Sequence, residues 1–423
     1  MSEWPHRLLG DLIHVKHGFA FKGEHFTGVG DKLVLKPGNF PIGGGIRLRP
    51  AKDDYYTGTF PPEFELAPGD LLVVMTDLTQ AAPILGSPAF VPTEPVILHN
   101  QRLGLVTIKP DVELDEHFLY YLLLSDTSRS QIRATATGAT VRHTAPERIY
   151  KVRVAVPELK VQERVGEVLW SLDALIENNR RRAEVLEGIA RTIYHEWFVH
   201  FRFPGHENVS LVDSDIGRIP EGWEVLAAST VLTVNPRVRV DKGAERPFFA
   251  MADLREQSMV CAPSARRTSS SGSKFENGDT LFARITPCLE NGKTGFVQVL
   301  DAGETGFGST EFIVLRGRSV GPAFTYCLAR SESFRKHAIG SMSGASGRQR
   351  VRNECFDSYL LTQPPRNIAD QFETAAAPLF KSVEVLRQVA DRLQSMRDSL
   401  LPKLVTGQVD VSRLNLDPLV GVR

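Results

Sequence analysis

Phe64-Glu65-Leu66-Ala67-Pro68-Gly69-Asp70-Leu71-Leu72 has a partner in Phe275-Glu276-Asn277-Gly278-Asp279-Thr280-Leu281-Phe282, and the two Gly-Asp steps lie 209 residues apart in a chain of 423. A repeat at half the chain length sets the domain plan, so it is extended first. Thr137-Gly138-Ala139-Thr140-Val141-Arg142 is echoed by Ser343-Gly344-Ala345-Ser346-Gly347-Arg348. Pro157 followed by Gln162, and Pro365 followed by Gln371, each open a long helical pattern. Matches in the same order predict globular unit, helix, globular unit, helix.

The globular halves read as mixed α/β. Leu71-Leu72-Val73-Val74-Met75 and Gly104-Leu105-Val106-Thr107-Ile108 are short apolar runs bounded by Gly, Pro and Asp, as buried strands are, and Phe312-Ile313-Val314-Leu315 is the counterpart of the latter. Helical stretches follow at 117–124 and 323–328. The 34 Gly and 26 Pro cluster outside the two long helices, so each half is rich in loops, where recognition residues concentrate.

The long helices carry heptads. Leu172, Asn179, Leu186 and Ile193 fall seven apart, with Leu175 or Ile176, Ala183, Ile189 or Ala190, and Trp197 between them. Phe372, Leu379, Leu386, Leu393 and Leu400 form the second set, interleaved with Val383, Val389 and Met396 and interrupted by Pro378. This is a coiled-coil seam, and antiparallel pairing of the two helices puts the units at opposite ends of a rod. About forty residues at ~1.5 Å rise give a rod of roughly 60 Å.

Composition narrows the function. With 42% hydrophobic and 24% charged residues the chain is of the globular class, and no apolar run reaches the ~18 residues of a membrane span. The opening Met-Ser-Glu-Trp-Pro-His has no secretory pattern, and four cysteines cannot build a disulfide scaffold, so the expected compartment is the cytoplasm. Lys+Arg and Asp+Glu each total 50, which excludes a uniformly basic nucleic-acid coat but not a local basic strip.

Catalytic groups are not found. Cys261, Cys288, Cys327 and Cys355 lie 27, 39 and 28 apart, with no Cys-x-x-Cys. No phosphate-binding Gly-x-x-x-x-Gly-Lys-Ser/Thr occurs, and Gly303-Glu304-Thr305-Gly306-Phe307-Gly308 reads as a turn. Gln363-Pro364-Pro365-Arg366 has the wrong ends for an amino-methyltransferase tetrad and reads as a strand stop before the helix. Glu290-Asn291-Gly292-Lys293 lacks nuclease spacing. His195 and His200 are five apart, not the four that places two ligands on one helical face, so Trp197 and Phe198 are read as packing and no metal is expected. The faces carrying Glu177, Arg180, Arg181, Arg182, Glu184 and Glu187 are expected to be solvated.

Several local patterns resemble the specificity (S) subunit of type I restriction-modification enzymes. They are Trp4-Pro5-His6-Arg7-Leu8-Leu9-Gly10-Asp11 with Gly18-Phe19-Ala20-Phe21-Lys22; Gly217-Arg218-Ile219-Pro220-Glu221-Gly222-Trp223; and Gln162-Glu163-Arg164-Val165 with Leu172-Asp173-Ala174-Leu175-Ile176-Glu177-Asn178-Asn179, Leu186-Glu187-Gly188-Ile189-Ala190 and Trp197-Phe198-Val199-His200-Phe201. Leu400-Leu401-Pro402-Lys403-Leu404-Val405-Thr406-Gly407 resembles the closing motif. The second half departs after Trp223, reading Val234-Asn235-Pro236-Arg237 where the first has Gly-Phe-Ala-Phe-Lys.

The resemblance implies an α+β fold: two mixed α/β target-recognition domains separated by two long antiparallel coiled-coil helices, with a pseudo-two-fold internal repeat. The expected layout is a first target-recognition domain at 1–157, a central spacer helix at 158–200, a linker and second target-recognition domain at 201–366, a C-terminal spacer helix at 367–407 and a tail at 408–423. It implies a non-catalytic subunit in which each domain reads one half of a bipartite, asymmetric site in double-stranded DNA. Two methyltransferase (modification) subunits dock on the helices, and restriction/translocase subunits join them. S-adenosylmethionine, ATP and Mg2+ are expected on those adenine-methylating, ATP-dependent partners, with no cofactor in this chain. Same-face half-sites lie about a DNA turn, ~34 Å, apart, which suits two readers on a rod. A self-sufficient DNA methyltransferase or nuclease, and a coiled-coil adaptor with protein ligands only, are the alternatives.

Phosphate neutralisation supplies much of DNA affinity. Residues 235–352 carry a net +7, whereas 1–150 carry −3, so charge supports DNA contact by the second unit only. The loop at 138–144 and its echo at 344–352 combine glycine, hydroxyl and arginine, and arginine reads guanine bidentately. Candidate DNA contacts are therefore Arg142, His143, Arg348, Gln349, Arg350 and Arg352, with Lys22, Arg266, Arg267 and Lys274. Arg47, Arg49 and Lys52 form a further basic cluster.

Overall fold

The computed structural model describes residues 4–49, 52–240, 243–268, 271–345 and 347–411. Ser346 and the tail beyond Val411 lie outside the described residues. The chain forms two compact units, one from 1–175 with 392–423 and the other from 176–391.

Each unit is built on a four-stranded antiparallel sheet of the same strand order. In the first the order is Ile13–His17, Leu103–Ile108, Leu71–Val74, Pro88–Phe90. In the second it is Leu232–Val234, Phe312–Gly317, Thr280–Ala283, Thr294–Phe296. The Leu71–Val106 pair of one register is the Thr280–Leu315 pair of the other, each index shifted by the 209 residues of the sequence repeat. The Gly-Asp steps serve the same turn in both: Gly69 and Gly278 sit at φ +88° and +92° just before the strand. Asp70 and Asp279 accept hydrogen bonds from Ala67 N and Glu276 N at 2.8 and 2.9 Å.

Successive side chains of a strand point to opposite faces, and here both faces are covered. Leu72 and Val74 point into a core shared with Leu33, Leu66 and Ile97 of a second sheet. Val73 points instead into a core with Phe118, Leu119 and Tyr121 of the helix Glu116–Leu124. Leu281 and Phe282 divide in the same way between a second sheet and the helix Pro322–Arg330. Each unit therefore has three layers, sheet on sheet on helices, which is why its strands read as continuous apolar runs. Gly306–Gly308, expected in a turn, is a buried strand of the second sheet.

The helical layers are completed by the two long helices, Leu159–Phe198 and Arg366–Leu404. In the first unit Val165, Val168, Leu169 and Leu172 share a core with Leu401, Leu404 and Val405, and half-buried Leu393 and Leu400 pack against it. In the second, Ala183, Ala190, Tyr194 and Phe198 meet Phe372, Ala376, Phe380, Val383 and Leu386, with Leu186, Ile193 and Leu379 at the border. The early part of one helix meets the late part of the other in the first unit, and the converse holds in the second. That is the order antiparallel pairing requires.

The seam departs from the heptad expectation. Val389 and Met396 are exposed (39% and 45%), and their neighbours Ala390 and Arg397 are buried. Ile176 and Ala190 take the inner places rather than Leu175 and Ile189, while Asn179 is half-buried. These helices bury a broad stripe against a globular layer as well as each other, so the narrow two-residue seam does not hold. Pro378 is exposed and does not interrupt the helix.

Polar groups lock the helices to the units. Gln162 is buried; its amide NH2 donates to Pro157 O at 2.8 Å and its Oε1 accepts from Asp115 N at 3.0 Å, beside the start of Glu116–Leu124. Its sequence counterpart Gln371 is exposed, and Glu373 does the equivalent work by accepting from Ala323 N and Phe324 N at 3.1 and 2.9 Å. Asp173 pairs with Arg397 at 3.2 Å and accepts from Tyr121 Oη at 2.7 Å.

Glu187, expected on a solvated face, is buried. Its carboxylate accepts from Tyr326 Oη at 2.6 Å and from Met259 N at 2.7 Å. Glu187→Ala would strand both donors in the core, at about 1–3 kcal/mol for each unsatisfied group. The variant is expected to unfold at clearly lower urea than the parent, with Glu187→Gln intermediate; equal midpoints for all three would show that the carboxylate carries no load.

Candidate nucleic-acid interface

The two echoed loops have one construction. In the first unit Thr137 and His143 exchange backbone hydrogen bonds of 2.9 and 2.8 Å, closing a seven-residue loop. In the second, Ser343 and Arg350 do so at 3.1 and 3.0 Å. The base of each loop pairs with the chain just beyond a central strand: Arg142–His143 with Thr76–Asp77 in a two-stranded sheet of its own, and Arg350 with Ile285 in a single bridge. Gly138 (φ +98°) is obligatory, because a Cβ there would stand on the Val141 carbonyl.

The candidate side chains fall into distinct states. Arg142 is half-buried and donates to the carbonyls of Arg133 and Gly138 at 3.2 and 3.4 Å, so it clamps its loop. His143 is exposed, with Nδ1 3.0 Å from Thr76 Oγ1. Arg350 is held in a forked pair by Glu311, with Nε 2.9 Å from each carboxylate oxygen and Nη2 2.7 Å from Oε1. Arg348 and Arg352 are exposed, and their guanidinium groups have no ion pair among the described residues. Gln349 is half-buried, its carbonyl accepting from Thr286 N at 3.1 Å.

Arg266, Arg267 and Lys274 belong to the second sheet of their unit, not to the loop. Arg266 pairs with Glu304 at 2.7 Å, Arg267 lies over the Phe248 ring at 3.8 Å, and Lys274 is half-buried. In the first unit Lys22 is exposed, while Phe19 and Phe21 of the same motif pack at 5.1 Å within an aromatic cluster. Lys16, Lys32 and Lys36 cover Phe64, Phe60 and Phe26 of that cluster at 4.5–5.0 Å. Arg49 leans on buried Asp53 at 3.7 Å.

One residue escaped the sequence reading. Arg102 O accepts from Met75 N just as Glu311 O accepts from Arg284 N, so Arg102 stands where the second unit has Glu311. The 209-residue offset leads from one to the other and would have found it. Arg142 and Arg148 hold the first loop itself, with Arg148 Nη1 donating to Thr137 Oγ1 at 2.9 Å, despite the net acidity of the unit. In the second unit, Glu311 cancels one of the loop's cations.

Cys261, Cys327 and Cys355 are buried free thiols, and burial pushes the Cys261 thiol up to about 12, which keeps it protonated at neutral pH. Gln363 ends a strand and Arg366 opens the helix, the stop expected of the intervening prolines.

The Glu311–Arg350 pair carries a pH signature. The guanidinium holds the Glu311 carboxyl below the ordinary glutamate range, so the pair contributes in full above the unfolded pKa, about 4.3, and is lost as pH falls through the lower folded value. Amide exchange in residues 347–350 is expected to accelerate in that acid window, after correction for intrinsic rates, and Glu311→Gln should remove the step. A pH-independent protection factor would exclude this coupling.

Residues 1–188 match the family model described as the type I restriction modification DNA specificity domain. The MjaIX specificity subunit of Methanocaldococcus jannaschii is 24% identical over 323 residues, covering 74% of this chain and 73% of that protein. The EcoEI specificity subunit of Escherichia coli is 28% identical over 201 residues, covering 45% of this chain and 34% of that protein. The crystal structure of the type I S subunit from M. genitalium superposes with a TM-score of 0.58 at 13% identity, covering 95% of this chain and 96% of that one, a likeness of fold. Residues 1–188 are thus similar to the DNA specificity domain of type I restriction-modification systems, and the chain is similar in sequence to their specificity subunits and shares the fold of an S subunit.

Proposed function

We propose that the chain is the DNA-reading, non-catalytic subunit of its complex, and that each unit reads one half of a bipartite, asymmetric site in double-stranded DNA. The observation that carries this reading is the duplication itself. Two units with one strand order and one loop construction, tied to the same pair of helices, form a device with two equivalent reading heads. Loop residues His143, Arg348 and Arg352 meet the duplex with Arg102 and Lys22. Phosphate contacts fix register, and guanidinium forks reaching base edges supply specificity.

The helices set the distance between the half-sites and dock two methyltransferase subunits. Val185, Ile189, Val385 and Val389 are exposed apolar residues on these helices (55%, 44%, 51% and 39%), and they supply a docking stripe. Adenine methylation, ATP-driven translocation and cleavage belong to those partners and to the restriction subunits, together with S-adenosylmethionine, ATP and Mg2+. The complex works in the cytoplasm. Among the described residues no helix is long and apolar enough to cross a membrane.

Two experiments test this function. A heptad removed from both helices shortens the spacer by roughly 10 Å, about three base pairs of rise. With cognate methyltransferase subunits, methylome mapping should then return the same half-site bases at a shorter spacing, or no modification; an unchanged spacing would sink the spacer role. Separately, Arg348→Ala should weaken binding and lower the salt slope of log K by about 1. Glu311→Gln, which releases Arg350, should strengthen it, and opposite signs in gel-shift titrations would count against this loop as the contact.

A further inference from the structure

We propose that His195, Glu196 and His200 form a binding site for a divalent transition-metal cation of the Zn2+, Co2+ or Ni2+ class. On a continuous helix residues five apart point to different faces, but the helix stops at Phe198. Val199 N and His200 N both donate to His195 O at 3.0 Å, and Phe201 then takes the left-handed conformation (φ +58°). This sharp reversal brings the His200 ring back to His195, with centroids 4.5 Å apart and planes at 81°. One ligand atom from each imidazole and one from Glu196 all lie within 4.8 Å of one another.

The turn is held from outside the site. Phe198, Phe201 and Phe203 pack on Trp223 at 5.9, 5.4 and 5.3 Å, and Phe198, Phe203 and Trp223 are buried. Arg202 N donates to Glu196 O at 2.7 Å, closing the reversal. The ligands are thus carried on a fixed backbone and need only side-chain rotation to reach the ~3.3 Å separation of donors around a tetrahedral ion with bonds of 2.0–2.1 Å. Both histidine rings are exposed, and among the described residues neither makes a hydrogen bond or ion pair.

The donor set and the field agree on the ligand. Two imidazole nitrogens and one carboxylate oxygen suit the borderline metals, with a fourth position left for water. The last carbonyls of a helix present partial negative charge, which favours a cation there. Glu196 already takes one: the Arg202 guanidinium lies 3.1 Å from Oε2. A metal ion would displace that exposed arginine and tie the helix end to the chain that follows it within the second unit.

Isothermal titration of the full, tag-free chain with Zn2+, after EDTA treatment, tests the site. One saturable event of micromolar affinity is expected, with the unfolding midpoint raised by Zn2+. His195→Ala and His200→Ala should each weaken binding at least tenfold while leaving the metal-free midpoint unchanged, because both rings are exposed. Arg202→Ala should tighten it by removing the competitor. The site is refuted if no saturable binding occurs, or if the His195→Ala/His200→Ala double variant binds Zn2+ as the parent does.

Discussion

The fold rests on burial of the broad apolar stripes of two long helices against sheets that would otherwise be open on one side. A strand buried on both faces needs two covers. In each unit one cover is a second sheet, and the other is a short helix reinforced by segments of both long helices. Phe372, fully buried against Tyr194 and Phe198, belongs to the second unit's wall, and Leu404 with Val405 to the first unit's. The second unit closes on one continuous segment, whereas the first needs residues from both halves of the chain.

That constraint explains where polar groups are spent. Gln162, Asp173, Glu187 and Glu373 lie along the helices, and each satisfies backbone or tyrosine donors of the unit it covers. A buried polar group is tolerated only when paired, so these bonds fix the rotation of each helix about its own axis. Repeat equivalence is kept in architecture and relaxed in chemistry, as Gln162 and Glu373 illustrate. The loops diverge in the same manner: the first clamps itself with Arg142, and the second balances Arg350 against Glu311.

Much of this was legible in the sequence, and the losses have physical causes. The 209-residue offset found the turn at Gly69 and Gly278 and the central strands, and the echoed loops follow at an offset of 206, because turns that need positive φ and strands buried on two faces have narrow residue requirements. The heptads located the helices but misplaced Val389 and Met396, since a stripe facing both a partner helix and a globular layer is wider than a coiled-coil seam. Glu187 looked solvated because its donors, Tyr326 and Met259, are far away in sequence. His195 and His200 looked divergent because the spacing argument assumes a helix that in fact ends between them. Arginine pairing was illegible: only the folded arrangement separates Arg348 from Arg350, two residues apart and opposite in availability.

Trp4, near the beginning of the chain, lies against Gly407 so closely that a Cβ there would meet the indole at 2.8 Å, and it packs on Phe118 at 6.5 Å. The module earlier in sequence is thus walled by a helix segment that follows the later one. On the ribosome the two modules mature in reverse order of interest: residues 176–391 hold every element of their own core once Asp391 has emerged, whereas the module begun earlier waits for Leu400–Val405. Throughout that interval an apolar flank stands open, the condition under which association competes with folding.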